Sequence, residues 1–376
     1  MIVRIFTSAF AAILVLAARP ARAQSASPRV IALPAPDATL PAEFTLVSAV
    51  RELSDGRVLI VDWSEKKLVV ADLAKGNVAQ LGRNGSGPGE YLQPSTLLTL
   101  DGDSTLLPDS RNGRWLLLHG ATIATTIGPE SPALRSGARV PAGADTLGNI
   151  VFTTGIGIPS RTTGSIPRRD SLFLFRVARA SGQSDTVALL RARPSLIRVE
   201  GPADRPRSVS VLTNPLAAGE LAALFSDGWI AIARLEPYRV DWTAPDGNRI
   251  RGSPLPFERV RLDEREQRAF VERQASRTGQ APRDPGSFPE WPEIMPPFLS
   301  ESILPAPDGR LWIRRTPTAE NPDPPYDVVD RRGALVARVT PGKDVQVVGF
   351  GRTAIYTVAT DENGIQRLQR RPVPRF

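Results

Sequence analysis

Short apolar runs alternate with polar turns along most of the chain, and the same small unit keeps restarting. Asp55-Gly56 precedes Val58-Leu59-Ile60-Val61, and Asp101-Gly102 precedes Thr105-Leu106-Leu107. Gly148-Asn149 stands before Ile150-Val151-Phe152, and Asp227-Gly228 before Trp229-Ile230-Ala231-Ile232. Asp308-Gly309 introduces Leu311-Trp312-Ile313, and a weaker sixth copy is Gly351-Arg352 before Ala354-Ile355-Tyr356-Thr357-Val358. Asp-Gly favours the positive φ of a tight hairpin, and the β-rich runs beside it are strand material. Among the first three copies, and again between the last two, the restart interval matches the ~40–50 residues of one four-stranded propeller blade.

The pairs that follow each marker read as hairpins forming the outer half of a blade. Lys67–Asp72 pairs with Val78–Leu81 across Lys75-Gly76, and Trp115–Leu118 with Thr122–Thr125 across His119-Gly120. Tyr326–Asp330 pairs with Leu335–Val339 across Gly333. The pattern therefore predicts an all-β chain, a six-bladed β-propeller in one domain. The two longer intervals need insertions. Pro159–Asp170 and Pro194–Pro206 read as irregular pieces in the first. In the second, an insertion of about 256–299 holds the one clear helical pattern, Leu262–Gln274. Asp263 is its N-cap, with Glu266 three residues on in a capping-box arrangement. Its apolar face is narrow, so the helix is expected on the surface, running into a Pro-rich extended loop. The last repeat has only three strands, Val345–Val348, Ala354–Val358 and Ile365–Gln369. Arg29–Leu33, without a partner of its own, is expected to complete that blade from outside and remove an open edge.

Composition changes the picture mainly at the N-terminus. Arg4 and the apolar run Ile5–Ala18 lead to Ala21-Arg22-Ala23, small residues at the two positions a signal peptidase reads. Residues 1–23 thus read as a cleaved signal peptide and 24–376 as the exported domain, periplasmic or secreted. The run is shorter than the ~20 apolar residues of a spanning helix, and no membrane span is expected in the mature chain. There is no cysteine, which excludes disulfides, a lipid-anchored cysteine and thiolate chemistry. The formal charge of +8 falls once Arg4, Arg19 and Arg22 leave with the leader. The remaining basic residues are scattered, so a nucleic-acid partner is not expected.

One stretch is more specific. Leu81-Gly82-Arg83-Asn84-Gly85-Ser86-Gly87-Pro88-Gly89-Glu90-Tyr91 leads through Pro94 to Asp101-Gly102, then to Pro108-Asp109-Ser110-Arg111-Asn112-Gly113-Arg114-Trp115. This resembles an NHL repeat, in which Asp109, Asn112 and Arg114 match the Asp-x-x-Asn-x-Arg pattern. Asp62 holds the Asp place in the preceding copy, where Glu65 and Lys67 replace Asn and Arg. The Gly-rich run is also similar to that of exported bacterial six-bladed propellers related to the NHL and TolB-like families. The resemblance implies architecture, since propellers host unrelated functions. Hydroxyglycine lyases that share the repeat use metal-bound histidines, and His119 is the single histidine here.

The candidate chemistry is sparse. Gly82–Gly89 lacks the Gly-Lys-Ser/Thr ending of a phosphate loop and reads as a structural turn. His119, at a hairpin turn, reads as a solvated histidine, and no metal site or cofactor is expected. Asp62 and Asp109 end inner strands, where a carboxylate usually accepts backbone N–H bonds, a ligand role being the sharper alternative. Glu90, Glu220, Asp227, Glu236 and Asp241 are spread among blades, and spacing nominates no pair. Trp63, at a strand end, and Trp291, in the Pro-rich loop, are the expected surface aromatics for a sugar or peptide. The candidate ligand set is Asp62, Trp63, Asp109, Arg111 and Trp291. The expectation is a non-enzymatic binding or scaffold module for a protein or carbohydrate in the cell envelope. The alternative is a carboxylate-dependent glycan or peptide lyase or hydrolase with its site at the propeller channel.

Overall fold

The computed structural model describes residues 28–376 apart from 129, 132–138, 155–163, 168–169, 202–206, 214, 279–280 and 289. The leader segment 1–23 and most of Pro159–Asp170 lie outside the described residues. Six sheets form the blades. Blade 1 is Val47–Glu52, Val58–Asp62, Lys67–Asp72 and Asn77–Gln80. Blade 2 is Leu98–Thr99, Ser104–Asp109, Arg114–His119 and Thr122–Ile127, and blade 3 is Arg139–Ala144, Asn149–Thr154, Ser171–Ala178 and Ser184–Arg191. Blade 4 is Leu221–Leu224, Ile230–Leu235, Tyr238–Thr243 and Arg249–Ile250. Blade 5 has Ile303–Pro305, Leu311–Arg314, Tyr326–Val329 and Leu335–Thr340; blade 6 has Val345–Phe350, Ala354–Thr360 and Gln366–Pro372. The strand after each sequence marker is the second of its blade.

Each blade packs on both neighbours, and this explains why its second strand carries a continuous apolar run where a one-sided sheet would alternate. In Val58–Asp62, Val58 and Ile60 enter a core shared with Tyr356 and Leu368 of blade 6. Leu59 and Val61 face the other way, into a core with Leu107 and Leu116 of blade 2. Further cores join blades 2 and 3, 3 and 4, 4 and 5, and 5 and 6. The six interfaces close a ring, so the hydrophobic effect that stabilises each sheet is also what sets the closure.

The marker turn has a fixed geometry. In blade 1 Gly56 N–H bonds Leu53 O and Leu53 N–H bonds Arg57 O. The same pair of bonds recurs at Phe225–Trp229 and Ala306–Arg310. Gly56, Gly228 and Gly309 take φ of 84°, 86° and 81°, a region closed to most side chains. That is why Asp-Gly marks the repeat.

Closure differs from expectation in one respect. Arg29–Ala32 adds a parallel fifth strand outside Leu335–Thr340 of blade 5. The fourth strand of blade 6 is instead Ala38–Thr39, antiparallel to Gln366–Pro372, extended by a bridge from Phe44 to Gln366. Packing decides this: Leu33 drops into the core between blades 5 and 6, and Leu40 and Phe44 into that between 6 and 1. Arg371 fixes the crossing, donating to Pro34 O at 2.8 Å, to Thr357 Oγ1 at 3.0 Å and to Gln369 Oε1 at 2.6 Å.

The insertions also differ in detail. Ser195–Glu200 and Ser208–Thr213 form a hairpin, joined by Gly164–Pro167 into a three-stranded sheet, where an irregular piece was expected. The second insertion fills 251–302, with a helix at Glu264–Thr278. Half of its capping box forms: Glu266 N–H bonds Asp263 Oδ1 at 3.0 Å. The Glu266 carboxylate turns away, accepting Ala319 N–H at 2.8 Å, and is buried against blade 5. Leu255 and Phe298 enter the core between blades 4 and 5 and root the insertion at both ends. Among the described residues no helix is long and apolar enough to cross a membrane.

Candidate functional site

Strand direction places the candidate residues. The Asp-Gly turns join first to second strands, so all of them lie at one mouth of the ring, here called the hairpin mouth. The second-to-third and blade-to-blade connections lie at the other. Both insertions, the Gly-rich loop, and the turns bearing Asp62, Trp63, Asp109 and Arg111 are connections of this second kind. They share one decorated face.

On that face the two aspartates do the same work. Asp62, 2% exposed, accepts N–H from Thr45 at 2.7 Å, Leu46 at 3.3 Å and Glu65 at 3.0 Å. Asp109, fully buried, accepts from Leu92 N at 3.1 Å, Gln93 N at 2.9 Å and Asn112 Nδ2 at 2.6 Å. Each carboxylate ties the connection leading into its blade to the turn between second and third strands. Asn112 also donates to Gly85 O at 3.1 Å. Arg114 donates to the carbonyls of Ser86, Gly87 and Glu90, each at 2.9 Å. The Asp-x-x-Asn-x-Arg motif thus clamps the Gly-rich loop onto blade 2. Glu90 completes the clamp from within, taking Gly87 N–H at 2.7 Å and Arg83 Nε at 2.5 Å, bonds that hold its carboxyl below the usual range.

The remaining candidates separate into two places. Trp63 is 47% exposed on blade 1 and Arg111 is exposed on blade 2. Trp291 lies in the insertion between blades 4 and 5, half-buried against Phe270 and Phe288, its indole N–H bonded to Pro285 O at 3.1 Å. The structure brings Trp63 and Arg111 to adjacent blades and sets Trp291 apart from them. The two insertions belong to the connections of blades 3 to 5, whereas the Gly-rich loop and short turns belong to blades 1 and 2.

The carboxylates that spacing left unpaired also find places. Arg234 bridges two of them, with Nη1 2.6 Å from Glu220 and Nε 3.0 Å from Asp241. Burial pushes the Asp241 carboxyl up, but the Arg239 and Arg234 bonds outweigh it and hold it below the usual range. His119 is exposed at the hairpin mouth, its Nδ1 3.0 Å from Ser104 Oγ. Among the described residues no three His, Cys, Asp or Glu side chains gather to hold a metal ion.

The first strands of all six blades enclose a central channel, a cavity of about 650 Å³. Small residues such as Ala49, Ala142, Ala222 and Gly349 keep it open. Its charged lining residues, Arg51, Glu52, Asp103 and Arg352, all sit at the hairpin mouth. Arg51 donates to Gly102 O at 2.7 Å and to Ser104 O and Thr105 Oγ1; burial draws it down to about 10, with Asp103 opposing. Glu52 accepts the Tyr356 hydroxyl at 2.7 Å across the closing seam, and burial pushes that hydroxyl up. Asp103 takes Ser54 N–H at 2.8 Å and Oγ at 2.5 Å, and these bonds hold it low. This small-residue wall has no motif and escapes a search for catalytic residues; only the restart pattern points to it.

A pH prediction follows from these acids. Asp55, Asp72, Glu90, Asp103, Asp241 and Asp361 are all held below their ordinary values. A depressed carboxyl contributes stability above its unfolded value, near 4, and loses it as pH falls through the folded value. Thermal melts are expected to be flat from about pH 5 to 7 and to fall steadily below about pH 4. A Tm that rises on acidification would contradict these assignments.

Comparison with known proteins bears on the fold. A family model described as DUF5128, 6-bladed beta-propeller, matches residues 27–103. A search of curated proteins returns no match. Among solved structures, the calcium-binding protein regucalcin from Agrobacterium tumefaciens is 14% identical, with 93% of this chain and 99% of that one covered, at TM-score 0.38. A catalytically inactive virginiamycin B lyase from Staphylococcus aureus is 12% identical over 89% and 98%, at TM-score 0.42. A member of the DUF4221 family from Bacteroides vulgatus is 8% identical over 91% and 97%, at TM-score 0.45. By its own six sheets and the match over its N-terminal segment and first blade, the chain is a six-bladed β-propeller.

Proposed function

We propose that the chain is an exported, non-enzymatic binding propeller that takes a protein or carbohydrate ligand in the cell envelope. The ligand seats on the decorated face, over blades 1 and 2. One observation carries this reading: Glu52 and Asp103 at the channel, and Asp62, Asp109 and Glu90 at the decorated mouth, are bonded to amides, hydroxyls and guanidinium groups. Among the described residues, the carboxylic acids with a shifted value are shifted down, whereas a carboxyl acting as general acid at neutral pH needs a raised one. Binding needs only a rigid surface with an aromatic and a cation, and Trp63 and Arg111 supply both. Export rests on the leader pattern of residues 1–23.

The test is an array of envelope glycans and peptides read by biolayer interferometry with the chain from Gln24. A saturable ligand is expected, with affinity lowered about tenfold or more by Trp63→Ala combined with Arg111→Glu at unchanged Tm. Retained affinity in the double variant moves the site elsewhere. Turnover of any array member by the unaltered protein overturns the reading in favour of an enzyme.

A further inference from the structure

We propose that the central channel is a separate binding site for an uncharged, largely apolar small molecule of one or two rings. This does not depend on what the decorated face binds. The cavity of about 650 Å³ lies within the range of small-molecule sites, roughly 300–1,000 Å³. Below the hairpin mouth its wall is formed by residues such as Val50, Leu97, Ala142, Ala222, Ile303 and Leu304. All six are half-buried, so their apolar surface still faces open space.

Charge decides the ligand class. Only Arg51, Glu52, Asp103 and Arg352 bring charge to the lining among the described residues. Each already has a partner: Arg51 the Gly102 carbonyl, Glu52 the Tyr356 hydroxyl, Asp103 the Ser54 amide and hydroxyl, and Arg352 the Ser54 carbonyl at 2.9 Å. A charged ligand drawn into the bore would lose water where the charges at the mouth already balance, Arg352 Nε lying 3.6 Å from Glu52 and Asp103 acting on Arg51. An uncharged ring system loses little and gains the hydrophobic contact; apolar cavities take up such molecules readily. The hydroxyls of Ser48, Thr96 and Thr99, which also line the channel, offer hydrogen bonds to one or two polar atoms.

The test compares two fluorescent probes with closely related ring systems, N-phenyl-1-naphthylamine, uncharged, and 8-anilino-1-naphthalenesulfonate, an anion. The uncharged probe is expected to bind at one site per chain, at least tenfold more tightly than the sulfonate. Thr99→Phe and Ala222→Phe place bulk in the bore and should each weaken it at least tenfold. Thr99 is exposed, so its variant tests the site even if Ala222→Phe unfolds. Leu147→Ser removes an exposed side chain (63%) at the hairpin face and should leave binding unchanged. The proposal falls if the uncharged probe shows no saturable binding, if both filled variants bind it normally, or if the sulfonate binds equally well.

Discussion

Replacement of Asp327 by alanine is expected to destabilise the protein by about 3–5 kcal/mol, the cost of stranding buried partners of opposite charge. Asp327 is fully buried between blade 5 and the segment that leaves blade 4. Its Oδ2 lies 3.0 Å from Arg315 Nη1 and accepts the Tyr238 hydroxyl at 2.9 Å; its Oδ1 lies 3.0 Å from Arg338 Nε. Both guanidinium groups also donate to Pro256 O, and Arg315 lies 4.8 Å above the Phe257 ring. Burial pushes the Tyr238 hydroxyl well up, with Asp327 adding to it, so it remains a donor. Removing the carboxylate leaves two cations and a hydroxyl without their acceptor at the root of the insertion. Denaturant unfolding should show a lower midpoint with an unchanged slope. The exposed Arg332–Asp330 pair, at 3.6 Å, is the contrast: Arg332→Ala should change stability by no more than about 0.5 kcal/mol. Equal effects at the two sites would refute the argument from burial.

The second large effect is expected at Asp109. Asp109→Ala should cost about 2–4 kcal/mol, because it removes the acceptor of the Leu92 and Gln93 amides and of one N–H of Asn112, which keeps its bond to Gly85 O, in a part-buried place. The Gly-rich loop should lose protection from hydrogen exchange along Gly85–Glu90, since Asn112 and Arg114 hold it through the same turn. Asp109→Asn keeps an acceptor for the two amides and should lose less. A variant that melts normally but fails to bind a ligand would instead assign Asp109 to the ligand itself.

Much of the fold was legible because a propeller repeats its local rules. Positions 58–61, 150–152 and 311–313 read as strands since both faces of a blade are covered, which demands continuous apolar runs. The Asp-Gly turns were legible because glycine takes the positive φ of those turns far more readily than other residues. Asp263 was legible as an N-cap, but the fate of Glu266 was not: Ala319, distant in sequence, competes for its carboxylate. Placing Arg29–Leu33 on blade 6 was the natural reading of a three-stranded last repeat. It failed because Leu33, Leu40 and Phe44 choose their interfaces by fit, and strand propensity carries no information about which blade receives them. Of the candidate residues, Trp63 and Arg111 stand exposed on adjacent blades, while Trp291 is drawn into an aromatic cluster formed by its own insertion.

By itself, the order of residues determined six small sheets, their turns, and the helix of the second insertion, since these rest on contacts a few residues apart. Only the tertiary structure decided that both insertions share a face, that Glu220 and Asp241 meet across Arg234, and that an uncharged bore runs behind a charged mouth. Those features join side chains from different blades, and the free energy that joins them depends on burial and distance, quantities that exist only once the ring has closed.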